Sequence, residues 1–164
     1  MQIPRTCWKI NDWRDAGFAR LDIYLIINGG RQTSSTNFAN IVDFTRSILT
    51  RINEYFELPT KSRVGVVLAF DSVKKHVHIS DDLSITSVLT AVNHGTSFPL
   101  TSTSSVLQAD ALQVVYDAFR GHTRQDARKV LLHFEPDAAD DETETESKMR
   151  QLLDDDVTVV FIGN

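Results

Sequence analysis

The chain has 164 residues, 41% of them hydrophobic, which suits a single sizeable core. Its 17 basic and 22 acidic residues leave a net charge of −5, and no basic stripe or aromatic-basic interleaving marks a nucleic-acid surface. The longest apolar runs, such as "VTVVFI", fall far short of a membrane span, the first 20 residues lack a signal-peptide core, and the one cysteine, Cys7, cannot close a disulfide within the chain.

Residues 1–20 read as an N-terminal extension, in which "PRTCWKINDW" offers Trp8 and Trp13 to cover part of the surface. Cys7 there is either an unpaired thiol or the partner of a cysteine outside this stretch of a secreted protein. The domain proper runs over 21–164. Leu21–Ile27 is a near-continuous apolar run, suited to a central parallel strand buried on both faces. The polar "TSST" supplies helix caps, and Phe38, Ile41, Val42, Thr45, Ile48, Leu49, Ile52 and Phe56 recur at helical spacing. Arg63–Phe70 is a second buried strand. Lys74–Ile79, "KKHVHI", alternates polar and apolar as an antiparallel edge strand does. A short helix follows over Asp81–Asn93, with Leu83, Val88, Leu89 and Val92 inward. After the loop "HGTSFPLTSTS", Val106–Phe119 is helical, with Leu107, Ala111, Val114, Val115 and Ala118 on one side. Lys129–Phe134 is a third core strand, an acidic stretch leads into a helix ending near Leu153, and Val157–Ile162 is a fourth. The order β-α-β-β-α-α-β-α-β with right-handed crossovers predicts an α/β fold. It is a doubly wound, mostly parallel open sheet with one antiparallel edge strand and helices on both faces.

In such sheets ligands bind at the carboxyl ends of the strands, near the topological switch point. The loops Asn28–Ser35, His94–Ser105 and Glu135–Glu142 are expected to converge there.

The segments "LDIYLIINGG…SSTNFANIVDFTRSIL", "SRVGVVLAFDSVKKHVHI", the "T-S-T" before a helix, "ARKVLLHF" and "VTVVFIG" fall in the order and at the spacing of the von Willebrand factor type A domain. The chain resembles that family from about Asp22 onward, which implies its Rossmann-like fold. Members commonly carry a metal-ion-dependent adhesion site. Its first loop reads Asp-x-Ser-x-Ser, a Thr comes from the second loop and an Asp from the third, and a carboxylate of the partner completes the magnesium shell. In this sequence Asn28 stands at the Asp position, Gly30 and Gln32 at the two Ser positions, and Thr101 at the Thr position with Thr103 two residues on. Pro136 lies at or beside the last Asp, flanked by Glu135 and Asp137. Only Thr101 matches cleanly, and Gly30 has no side chain to offer.

The resemblance therefore implies a degenerate adhesion site without a tightly held metal or cofactor, weak Mg²⁺ or Ca²⁺ at most. Its partner-binding edge would consist of Asn28, Gly30, Arg31, Gln32, Thr101, Thr103, Glu135 and Asp137. Arg31 could take the cation's place toward an acidic partner. The alternative for Asn28 and Gln32 is that they satisfy backbone groups of the turn. Domains of this family continue past "VFIG" with a helix, a strand and a closing helix, so the family's last strand and helix have no counterpart before Asn164. That implies a C-terminally truncated form, in which the Val157–Ile162 edge recruits a strand through an oligomer, an exchange or a partner.

Other motifs carry less. "INGGRQTSS" has neither the G-x-G-x-x-G spacing nor a G-K-[ST] ending of a nucleotide loop. His76 and His78, two apart on a strand, would share a face as a transition-metal pair does, but equally as solubilising edge residues do. His133 in its apolar strand is expected to make a core hydrogen bond, and His94 and His122 fall in loops. The run "EPDAADDETETE" has seven carboxylates; it reads as a solvated approach to a helix, or as a weak calcium or basic-surface contact. No nucleophile elbow and no placed carboxylate pair supports catalysis, so no catalytic residue is expected.

The expected function is a non-enzymatic adhesion or protein-interaction module of an extracellular matrix or cell-surface protein, secreted, with a protein partner and neither nucleic-acid binding nor membrane insertion. The alternatives are an intracellular scaffold of a multi-subunit complex and a remodelled, weakly cation-dependent adhesion site.

Overall fold

The computed structural model describes residues 19–28, 35–69, 73–93, 108–134 and 142–162. Strands β1 (Leu21–Asn28), β2 (Ser62–Ala69), β3 (Val73–Val77), β4 (Arg128–Phe134) and β5 (Val157–Ile162) form one sheet in the order β3-β2-β1-β4-β5. Every neighbouring pair is parallel except β2–β3. The helices are α1 (Ser35–Tyr55), α2 (Ile85–Ala91), α3 (Gln108–His122) and α4 (Glu142–Asp154). This is the doubly wound α/β sheet with an antiparallel edge that the alternation of apolar runs predicts.

β1 sits at the centre because it is apolar on both faces. Leu21, Ile23, Leu25 and Ile27 pack with Val42, Leu49, Ile52 and Phe56 of the α1 side and with Val88 and Val92 of the α2 side. Tyr24 and Ile26 point the other way, to Leu112, Val115 and Phe119 of α3 and to Met149 and Leu152 of α4. Fully burying each such aliphatic side chain stabilises by roughly 1.5–3 kcal/mol before conformational entropy is subtracted. Arg46 joins α1 to α2, donating to the Val92 carbonyl at 3.0 Å and to the Leu89 carbonyl, which are acceptors left over at a helix C-terminus.

Three local differences from the sequence reading have physical causes. The edge strand ends at Val77, because His78 caps a 3-10 turn over Ile79–Asp81. Its N–H donates to Asp81 Oδ2 (2.8 Å), and its ring Nδ1 accepts from the Ser80 N–H (3.1 Å). The next helix starts only at Ile85, capped by Ser84. The third helix runs on to His122, past the expected end at Phe119, and its buried face includes Leu112 and Phe119 beside the residues read as inward. Phe38 and Leu107, read as inward, lie outside the described side chains. No described helix is long and apolar enough to cross a membrane. β5 takes the outer place in the sheet, with Val157 buried and Thr158–Ile162 only half-buried.

Tyr24 and Gly65 are register partners on β1 and β2. A Cβ on Gly65 would lie 2.1 Å from the Tyr24 ring, which is buried and meets Phe119 edge-on at 5.2 Å between centroids. Gly65→Ala is expected to cost about 2–3 kcal/mol in urea unfolding. A Tyr24→Leu/Gly65→Ala pair should lose less than the sum of the single losses; strict additivity would refute the steric account.

Candidate functional site

The parallel strands all end at one edge. Asn28 closes β1 in register with Ala69, the last residue of β2, and Phe134 closes β4 in register with Ile162, the last residue of β5. The chain passes from β1 outward through β2 to β3, then returns to β1's other side for β4 and β5. The switch point, where a crevice opens in such sheets, therefore lies between the ends of β1 and β4. The chain leaves β1 after Asn28 and β4 after Phe134 at that place. Of the sequence-predicted site residues, Asn28 is placed there by its backbone as the final residue of β1. Gly30, Arg31, Gln32, Thr101, Thr103, Glu135 and Asp137 lie outside the described residues.

Beneath this edge, His133 is 3% exposed on β4, beside Ile26 in register and with Phe161 edge-on at 5.7 Å between ring centroids. Its Nδ1 has no hydrogen-bond partner, contrary to the core hydrogen bond expected of it, because the strands on either side present Ile26 and Phe161. Burial lowers its pKa from 6.5 to about 4, so the ring is neutral at physiological pH. Gln108, the first residue of α3, is also buried, with its Nε2 unpaired. On the other face Phe44 of α1, half exposed, meets Phe134 edge-on at 6.3 Å. The described floor of the edge is thus apolar and neutral, without a charged group to anchor a cation. Among the described residues no group of three or more His, Cys, Asp or Glu could hold a metal ion.

The opposite edge holds a charge cluster that the motif search passed over. Asp22, fully buried, accepts from Arg63 Nε (2.9 Å) and Nη2 (2.7 Å), from the Arg124 backbone N–H (2.9 Å) and from Arg124 Nε (3.1 Å). Arg124 also donates to the carbonyls of Leu21 (3.0 Å), Thr60 (3.2 Å) and Lys61 (3.3 Å), tying the starts of β1 and β2 to the loop after α3. The signal was present in "LDIYLII": a carboxylate inside an apolar strand requires a buried cationic partner.

The two histidines read as sharing a strand face part company. His76 Nε2 lies 2.8 Å from the Ala91 carbonyl of α2, whereas His78, beyond the strand, meets His122 at the end of α3. Of the acidic run, residues 142–146 form the first turns of α4, where Glu146 pairs with Arg150 at 2.8 Å. The rest of the run lies outside the described residues.

Comparison with known proteins agrees with this architecture. A family model, the von Willebrand factor type A domain, matches residues 22–164. No curated protein sequence matches the chain. Among solved structures, manganese-loaded TRAP protein from Plasmodium vivax superposes with a TM-score of 0.76 at 13% identity, over 88% of this chain and 57% of that one. Proximal thread matrix protein 1 from the mussel byssus, with a zinc-occupied MIDAS motif, superposes with a TM-score of 0.71 at 19% identity, over 88% of this chain and 36% of that one. The chain thus spans less than two thirds of either protein, and at these identities the likeness is one of fold.

Proposed function

The chain belongs to the von Willebrand factor type A family, and from that premise we propose that it is a non-enzymatic protein-interaction module whose partner docks on the loops at the carboxyl edge of the sheet, with little or no dependence on a divalent cation. The observation that carries the reading is the position of Asn28. It ends β1 at the switch point, where a metal-binding member of the family places its first aspartate. A neutral amide there, followed by Gly30 and Gln32 in place of two serines, leaves the first loop without the carboxylate and the two hydroxyls that a hard cation would take from it.

The family's ion does not fit this donor set, and recognition falls to hydrogen bonds from Asn28, Gln32, Thr101 and Thr103. Arg31 supplies positive charge toward an acidic partner, and Glu135 and Asp137 flank it with negative charge. The setting is an extracellular matrix or cell surface, in keeping with the matrix protein of the byssus that shares the fold. The outer edge of β5, which no strand pairs among the described residues, is the second contact surface, suited to an added strand from another copy or a partner.

Calorimetric titration with Mg²⁺, Ca²⁺ and Mn²⁺ is expected to give no binding heat, and chelator is expected to leave the melting temperature unchanged. An ion bound at micromolar affinity would stabilise by about 2.7 kcal/mol at a hundredfold excess over its dissociation constant. Such a rise in melting temperature would replace this reading with a cation-dependent one using Asn28, Thr101 and a third-loop acid.

A further inference from the structure

Asn28 and Gly29 make the one Asn-Gly pair of the sequence, since none of the other glycines follows an asparagine. Asparagine is a thermolabile residue, because its side-chain amide can be lost to attack from its own main chain. The attacking atom is the backbone nitrogen of the next residue, and glycine hinders it least because it has no Cβ.

Backbone geometry decides which asparagines can react. In a regular strand the side chain stands out of the sheet while the next N–H lies in its plane within the ladder, and in a helix the next N–H is committed to the carbonyl of the preceding turn. Asn37, Asn40 and Asn53 lie inside α1 and are followed by Phe38, Ile41 and Glu54, so ladder and neighbour both protect them. Asn28 has neither protection. It is the last residue of β1, in register with Ala69 of β2, whereas the pairing of β1 with β4 runs only as far as Ile26 and His133. The hold of the ladder therefore ends at Asn28.

From this placement we infer that Asn28 is a site of spontaneous deamidation. The Gly29 nitrogen gives up its proton and bonds to Asn28 Cγ, the Cγ–Nδ2 bond breaks, and the amide nitrogen leaves as ammonia, closing a five-membered succinimide. Water then opens the ring at one of its two carbonyls. Addition at Cγ gives aspartate; addition at the main-chain carbonyl of Asn28 gives isoaspartate, in which the chain runs on through Cγ and gains a methylene. Neither an oxidant nor an enzyme is needed. Either product adds one negative charge to a chain that starts at −5, and places it at the switch point, where the newly made protein has a neutral amide. The modification stands on Asn28 and Gly29 alone; its effect on a docked partner rests on the reading of this edge as the docking surface.

The test is to incubate the full chain at mildly alkaline pH in heavy-oxygen water, withdraw samples over weeks, digest them with trypsin at mildly acid pH and weigh the peptides. Cleavage after Arg20 and Arg31 releases Leu21–Arg31, in which Asn28 is the only asparagine. That peptide is expected to show the mass of an amide turned to an acid, with one heavy oxygen taken from the solvent. Its conversion should be at least tenfold faster than that of Gln32–Arg46 and Ile52–Lys61, which carry the helical asparagines. Protein isoaspartyl methyltransferase should label the isoaspartate. Gly29→Val should slow the conversion at least tenfold, and the helical asparagines report whether that variant is folded, since unfolding would speed their loss. A Leu21–Arg31 peptide that keeps its amide, or loses it no faster than the helical asparagines do, would overturn the inference, as would a Gly29→Val chain that converts at the parent's rate.

Discussion

An Asp22→Ala variant will unfold at least 3 kcal/mol more easily than the parent chain, with a melting temperature about 10 °C lower. The carboxylate is fully buried and collects four hydrogen bonds, three of them from the guanidinium groups of Arg63 and Arg124. Those side chains are only 10% and 19% exposed, so removing the acid strands two cations that water reaches poorly. Breaking a buried pair from one side costs about 3–5 kcal/mol, and in a domain of this size each kcal/mol moves the midpoint by about 2–4 °C. Arg124 keeps its three carbonyl acceptors and Arg63 keeps the His122 carbonyl, which holds the loss toward the lower end. The exposed pair Arg20–Asp126, at 3.1 Å, is the matched control, and Arg20→Ala should change stability by less than about 1 kcal/mol. Urea and thermal unfolding of the two variants side by side decide the matter. If Asp22→Ala behaves like Arg20→Ala, the cluster is ornamental.

The second large effect is acid sensitivity located at His133. In the folded chain burial holds its pKa at about 4, against 6.5 when exposed. Above pH 6.5 both states carry a neutral ring and the residue contributes no pH dependence. Below that the unfolded chain takes up a proton that the folded one refuses, so stability falls with decreasing pH until about pH 4, where the folded ring titrates too. At about 1.36 kcal/mol per pKa unit the total loss is about 3 kcal/mol, with about 2 kcal/mol already gone at pH 5. A His133→Leu chain lacks this term. Its stability relative to the parent should therefore rise by that amount between neutral pH and pH 4. Parallel pH profiles for the two proteins would show that the ring is hydrated in the folded state.

Much of the sheet could be read from the amino acids because each core strand is an uninterrupted apolar run and each helix shows its stripe. The adjacent Leu25 and Ile26 could belong only to a strand covered on both sides, and Val42, Leu49 and Ile52 fall one to two turns apart. What escaped was set by distance along the chain. Asp22 announces that it needs a cation, but its partners lie 41 and 102 positions away, and no local pattern selects Arg63 and Arg124 from the other basic residues. His76 and His78 were misassigned for a related reason. Alternation holds only while the strand lasts, and the bond from the His78 N–H to Asp81 ends it two residues early. At the proposed partner-binding edge the identities of Asn28, Gly30 and Gln32 argue against the family's ion through donor chemistry alone, while spacing in sequence does not fix which third-loop acid would face Asn28.

The contact between Tyr24 and Gly65 also bears on how the chain finds its structure. β1 and β2 are apolar on both faces, and sliding one past the other by two residues would keep nearly every greasy side chain covered. Hydrophobicity alone therefore discriminates poorly between the native pairing and its slipped neighbours. The tyrosine ring lies over the one position of β2 that lacks a Cβ. In either slipped alignment the ring would face Arg63 or Val67 instead, whose side chains deny it the space it fills over Gly65. The two residues act as a key and its slot: only the native alignment gives the buried ring its seat, so the register is set by shape where hydrophobicity leaves it open.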